Sequence, residues 1–303
     1  MIKGGVAFFD SGIGGLNVLA ACLFSGLSAP VYYFGDNARA PYGNKGKEEL
    51  APFVFEAFDR FASLKVGAAV IACNTVTALF IDELRTRYPF PIVGCVPSIE
   101  AAAKQGGEIF VLATSATVNS ARMHALIEKT GKEYPNATLR LTACEKLAGE
   151  IERHIMEKGY DFTPFLPVGN PTSVVLGCTH YGYIRKEIEG FYGCNSYDNA
   201  GETAKKLAQI LPFFEKERGK KSCSYSLKKV GRFFTRKRVF KPPLFSIKIT
   251  PKKVKKLRKL NCAQPLYFLG NSRFYNAQFY KQMFVFKTNG REVVKNSQKN
   301  LFF

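Results

Sequence analysis

The sequence predicts an α/β protein of two similar lobes, each with a mostly parallel central sheet, and an active site in the cleft between them. Three observations lead there. Over residues 1–215, short apolar runs alternate with amphipathic stretches of helical period, the pattern of parallel strands joined by helices. Five of those runs end in polar or Gly-rich clusters, and open parallel sheets bind ligands just outside the carboxyl ends of their strands. Finally, Ala72-Cys73-Asn74-Thr75 and Gly177-Cys178-Thr179-His180 echo each other, each setting a small residue, a cysteine and a Thr-containing turn after an apolar run. One such copy per lobe would give that echo.

In chain order, Val6–Phe9 is short, apolar and aromatic, and runs into Asp10-Ser11-Gly12-Ile13-Gly14-Gly15. The GIGG core lacks the full GxGxxG spacing with a placed acidic residue, which argues against a dinucleotide site. Val31–Phe34 reads as the second strand and leads to Gly35-Asp36-Asn37, then Pro41-Tyr42-Gly43. Glu48–Ala62 has helical periodicity. Ala69–Ala72 is a strand ending at Cys73-Asn74-Thr75, and Ile92–Gly94 is a short one. Ile109–Ala113 runs into Thr114-Ser115-Ala116-Thr117, followed by helical patterns over Ala121–Thr130 and Glu145–Glu157. Val174–Leu176 then delivers Gly177-Cys178-Thr179-His180.

A hydrophobic content of 46% fits a soluble globular enzyme. No apolar run reaches the roughly 18 residues of a membrane span. The strand starting at Val6 leaves no room for a secretory leader, so a cytoplasmic location without membrane partners is expected. The 8 cysteines are scattered with no CxxC pair, and the 3 histidines are not at zinc-ligand spacing from them. No metal is expected. Cys22, Cys95, Cys144 and Cys194 read as buried reduced thiols.

Cys73 and Cys178 differ. A thiol between a strand and a helix N-terminus meets unpaired N–H donors and positive partial charge, which lower its pKa. Asn74 and Thr75 add donors able to grip a carboxylate. Two opposed thiols suit inversion of a stereocentre, one taking a proton from one face while the other delivers a proton to the opposite face. No redox cofactor is needed for that exchange. Asp10 and His180 are the candidate neighbours for tuning the thiols.

The segments FFDSGIGGLNVL (8–19), YFGDNARAPYGNK (33–45), IACNTVTA (71–78), VLATSATV (111–118) and VVLGCTHYGYI (174–184) resemble, in order, the successive motifs of glutamate racemases within the aspartate/glutamate racemase superfamily. GDNARAPYG discriminates most, because aspartate racemases share only looser forms of the cysteine motifs. The resemblance implies a cofactor-independent enzyme interconverting L- and D-glutamate, with D-glutamate supplied to peptidoglycan in a bacterial cytoplasm. It implies Cys73 as the base for D-glutamate and Cys178 as the base for L-glutamate, with Asp10 and His180 orienting them. Asp10, Ser11, Pro41, Tyr42, Gly43, Asn74, Thr75, Thr114, Thr117, Thr179 and His180 match its substrate-binding positions. Glu152 is the match for a glutamate supporting the histidine, although TACEKLAGEIE departs from the usual pattern. A homodimer is among the associations the resemblance implies. The implied layout is a first lobe over 1–97, a second over 98–206, a return segment over 207–260 packing on the first lobe, and a basic extension over 261–303 without family counterpart.

Charge is distributed unevenly. Residues 216–303 hold 24 of the 44 Lys and Arg but only 2 of the 24 acidic residues, so all of the net +20 originates there. Gly231–Thr235 and Lys252–Leu260 are the closing strand and helix that the resemblance leads one to expect. Three readings of this basic segment stay open: an extension binding nucleic acid or another anionic surface, a diverged folded end, or out-of-frame translation of an AT-rich gene. The loss of Asp after Asp198, with Lys, Phe and Asn accumulating, favours the third. An inactive ligand-binding relative, or a nucleic-acid-binding protein working through its tail, is the alternative from another functional class.

Overall fold

The computed structural model describes residues 4–27 and 29–210, together with the backbone of four strands at 245–248, 266–270, 287–288 and 291–292. The order is β1 (Val6–Asp10), α1 (Gly15–Phe24), β2 (Val31–Gly35), α2 (Lys47–Ser63), β3 (Ala68–Ile71), α3 (Asn74–Arg87), β4 (Ile92–Gly94) and α4 (Ile99–Ala103). There follow β5 (Gly107–Ala113), α5 (Ser115–Val118), α6 (Ala121–Glu133), β6 (Ala137–Ala143), α7 (Leu147–His154), a 3₁₀ turn at Thr163–Phe165, and β7 (Ser173–Leu176). A second 3₁₀ turn (Thr179–Ile184), α8 (Arg185–Tyr192), β8 (Asn195–Tyr197) and α9 (Ala200–Ile210) complete the continuous part. β9 (Phe245–Lys248) and β10 (Leu266–Gly270) join the first sheet, and Lys287–Thr288 pairs antiparallel with Arg291–Glu292.

Two sheets result. The first runs β4-β3-β1-β2-β10-β9 and the second β6-β5-β7-β8. Within these two sheets all pairs are parallel except β10 with β9. This is the α/β two-sheet architecture expected from the alternation of runs and helices. The expected strand at Gly231–Thr235 and helix at Lys252–Leu260 lie outside the described residues, as does most of the basic segment.

Burial follows the two-residue period of a strand covered on both faces. Val6 and Phe8 of β1 enter one cluster with Leu16 and Leu19 of α1 and Leu207 of α9. Ala7 and Phe9 enter another with Val54, Phe58 and Phe61 of α2 and Phe80 of α3. β5 divides likewise: Phe110 and Leu112 face α7 and α8, while Ile109 and Val111 face α4 and α6. Local signals set several helix ends. Glu48 and Glu49 occupy the first turn of α2 and Arg60 its last, complementing the helix dipole. Ser120 caps α6 by accepting from Met123 N–H at 3.2 Å. Gly193 ends α8 at φ 64°, a left-handed conformation in which a Cβ is penalised.

β6 and β8 were not among the sequence-predicted strands. Both are edge strands of the second sheet, and β6 alternates between exposed and partly covered residues instead of forming an apolar run. No described helix is long and apolar enough to cross a membrane. Among the described cysteines all six are free thiols: Cys22, Cys95 and Cys144 are buried, and Cys194 is partly exposed.

Candidate active site

The carboxyl ends of β1, β2 and β3 meet those of β5 and β7, and hydrogen bonds cross from sheet to sheet. The Thr179 hydroxyl donates to Asp10 Oδ2 at 3.2 Å, and Ile13 N–H donates to Glu152 Oε1 at 2.9 Å. Ala116 N–H reaches the Gly43 carbonyl at 2.8 Å. Thr75 Oγ1 lies 3.0 Å from Thr114 Oγ1 and 3.4 Å from Thr117 Oγ1, which themselves stand 3.0 Å apart. These links join residues up to 169 positions apart into one buried cluster.

Cys73 follows β3 and caps α3 in extended backbone, its sulfur 3.8 Å from Ser11 Oγ. Burial pushes its thiol up to about 12, and the Asp10 carboxylate adds to the effect. The Val76 N–H at the helix start pulls the other way, the charge of Cys178 raises the thiol further, and the Ser11 hydroxyl also pulls down. The helix N-terminus therefore acts as the sequence suggests but is outweighed by desolvation, which corrects the expectation of an acidified thiol at Cys73.

Cys178 follows β7, and the element after it is a 3₁₀ turn instead of an α-helix. Its sulfur lies 3.6 Å from His180 Nδ1. On the far side of the ring, Nε2 is 2.5 Å from Glu152 Oε1. Burial works against a protonated His180, yet Glu152 and Cys178 outweigh it and hold the ring well above the usual histidine range. The result is a buried carboxylate–imidazole–sulfur relay on one side of the cluster. On the other side, Asp10 accepts from Gly12 N–H at 2.9 Å through Oδ1. Burial raises its carboxyl group, with His180 and the Gly12 and Gly15 N–H groups in opposition.

The Gly-rich turn is explained by close approach. A Cβ on Gly12 would lie 1.8 Å from Glu152 Oε1, and one on Gly14 would lie 2.3 Å from Thr179 Oγ1. Glycine here lets the end of β1 sit directly against the relay of the second sheet.

All the sequence-predicted residues from these turns converge. Asp10, Ser11, Tyr42, Asn74, Thr75, Thr114, Thr117, Thr179 and His180 are buried with Cys73 and Cys178. Pro41 is partly buried near Gly149 of α7. Tyr42 does not present its hydroxyl to the cluster as a free donor, because the group donates to Asp36 Oδ2 at 2.5 Å and is raised by burial and by that carboxylate. Its neighbour Gly43 packs against Thr114, where a Cβ would come within 2.6 Å of the threonine side chain. Glu152, whose surrounding motif departs from the family pattern, sits directly on His180.

Two contributors were not among the sequence candidates. Asp36 also holds Arg39 at 2.7 Å, and its place in Gly35-Asp36-Asn37 after a strand was the available signal. Asn199 donates to Asn74 Oδ1 at 2.8 Å from a point 125 residues away, and no local pattern announces it.

Comparison with known proteins gives a consistent result. Residues 17–206 match the family model described as Asp/Glu/Hydantoin racemase. A glutamate racemase of Aquifex aeolicus is 33% identical over 215 residues, covering 68% of this chain and 83% of that protein. One from Clostridium botulinum is 35% identical over 193 residues, covering 60% and 73% respectively. Among solved structures, a Bacillus anthracis glutamate racemase superposes with a TM-score of 0.60 at 26% identity, over 69% of this chain and 82% of that one. The Francisella tularensis glutamate racemase, solved in complex with D-glutamate, gives 0.58 at 26% identity over 69% and 81%.

Proposed function

We propose that this chain, which belongs to the Asp/Glu/hydantoin racemase family, interconverts L- and D-glutamate without a cofactor, using Cys73 and Cys178 as its two acid–base groups. As an amino-acid racemase it is an isomerase. The observation that carries the two-thiol reading is the pairing of strand-end cysteines, one from each sheet, within one hydrogen-bonded cluster.

In the proposed step, one sulfur begins as thiolate and removes the Cα proton from one face, leaving the electron pair delocalised into the carboxylate. The other sulfur begins as thiol and delivers its proton to the opposite face. The C–H bond broken is replaced by one formed, and the two sulfurs exchange protonation states, so no net proton or electron is consumed. Cys73 serves as base for D-glutamate and Cys178 for L-glutamate. His180, 3.6 Å from the Cys178 sulfur and held charged by Glu152, stabilises negative charge on that side. Asp10 and Ser11 flank Cys73, and Asn74, Thr75, Thr114, Thr117, Thr179 and the Pro41-Tyr42-Gly43 backbone hold the substrate. The low polarity that raises Cys73 also brings its conjugate base closer in strength to the weakly acidic Cα–H.

The proposal extends to D-glutamate supply for peptidoglycan in a bacterial cytoplasm, to lobes over 1–97 and 98–206, and to a homodimer. Circular dichroism of D- or L-glutamate tests the chemistry. Cys73→Ser and Cys178→Ser are each expected to lose at least about 10²–10⁴-fold in turnover, the ordinary size of a general acid–base contribution. Full inversion by either variant would remove the two-thiol reading.

A further inference from the structure

We propose that Asn199 is a positioning residue for this reaction: from the crossover returning the chain from the second sheet to the first, it sets the Asn74 amide so that its N–H donors face the substrate. The inference rests on the reading of Asn74 as a substrate-binding residue.

Asn199 lies between β8 and α9 and is only 3% exposed. Its backbone is fixed, since its carbonyl accepts from Thr203 N–H at 3.0 Å and from the Thr203 hydroxyl at 2.7 Å at the start of α9. Asp198 anchors the same turn. Its carbonyl accepts from Ser98 on the outgoing crossover at 2.6 Å, and its carboxylate takes Arg185 of α8 at 2.6 Å. From this tethered position the Asn199 side chain donates through Nδ2 to Asn74 Oδ1 at 2.8 Å.

Asn74 is the residue after Cys73 and is 4% exposed. With Oδ1 engaged, its Nδ2 is left buried without a hydrogen-bond partner among the described residues. A buried amide NH₂ without a protein acceptor is unfavourable, and a substrate carboxylate beside it would supply that acceptor. A half-turn about the last side-chain bond exchanges the amide oxygen and nitrogen at little steric cost, so shape alone does not choose between them. Turned the other way, Asn74 would aim lone pairs at a carboxylate. The donor on Asn199 decides the orientation.

A double-mutant cycle on the full chain tests this, with KM and kcat for both enantiomers from circular dichroism and a thermal midpoint for each variant. Asn199→Leu removes the hydrogen bond at similar volume and is expected to raise KM about 3–10-fold with kcat nearly unchanged, the size of one neutral hydrogen bond. Asn199→Asp accepts but cannot donate, which favours the turned amide, and is expected to raise KM beyond the leucine variant. In an Asn74→Leu background, Asn199→Asp should add less than about 3-fold, because the amide it acts on is gone. A full penalty in that background would assign the effect to charge and overturn the proposal, as would wild-type KM in both single variants. Wild-type KM in Asn74→Leu would instead contradict the substrate-binding reading of Asn74. Asn74→Ala replaces the leucine variant in the cycle if the latter does not fold.

Discussion

His180 shows how single residues divide the labour in this site. Its Nδ1 faces the Cys178 sulfur and its Nε2 faces Glu152, so the carboxylate sets the charge that the sulfur meets. Glu152→Gln keeps the shape but drops the negative charge, and the ring then favours its neutral form. Expected is a fall in kcat of about 10–100-fold for L-glutamate, where Cys178 is the proposed base, measured as initial rates in each direction. Racemisation has an equilibrium constant of one, so kcat/KM must fall equally both ways, and any asymmetry is confined to kcat and KM separately. Equal kcat losses would contradict the assignment of His180 to one sulfur. A second prediction concerns thiols. Burial pushes the Cys95 thiol from its ordinary value of 9.0 up to about 12. Between those values the unfolded chain releases a proton that the folded chain keeps, so stability falls as pH rises, by about 1.4 kcal/mol per pH unit for each such group. Cys95→Ala should flatten the slope of denaturation free energy from pH 9 upward by about one proton; an unchanged slope would contradict the buried-thiol assignment.

Elements owe their places to the apolar clusters on either side of each sheet. Phe58 of α2 is wholly buried and contacts the rings of Phe9, Phe61, Tyr88 and Phe90. Phe58→Ala is expected to cost about 3–5 kcal/mol in urea denaturation while KM stays within about 2-fold, since α2 shapes the core and not the cluster. A cost below about 1 kcal/mol would mean that the aromatic cluster is not what seats α2. At this scale legibility depended on burial. Central strands such as β1 and β5 are apolar on both faces and stand out as runs, whereas β6, with Thr138 and Arg140 exposed, carries no such run. The turns after β1, β3 and β7 were legible because their residues are local in sequence. Gly12 was visible as a turn glycine, but its actual reason, the contact with Glu152, belongs to the other sheet. Asn199 was invisible for the same cause: its significance is a contact made only once the chain has crossed back.

For the molecule as a whole, the two sheets matter because they bring one cysteine each to a common cluster. Neither sheet holds a complete site. The first supplies Asp10, Ser11, Cys73, Asn74 and Thr75, while Thr114, Thr117, Glu152, Cys178, Thr179 and His180 come from elements of the second. Cross-sheet hydrogen bonds from Ile13 and Thr179 tie the two sets of residues together, so the proposed inversion requires both sheets. The most direct measurement is the fate of the Cα hydrogen in D₂O, quenched at low conversion and read separately for each enantiomer. Two opposed groups predict product labelled with solvent deuterium while remaining substrate keeps its protium, in both directions. Substrate-derived protium retained in the product, or equal early labelling of both pools, would contradict the account.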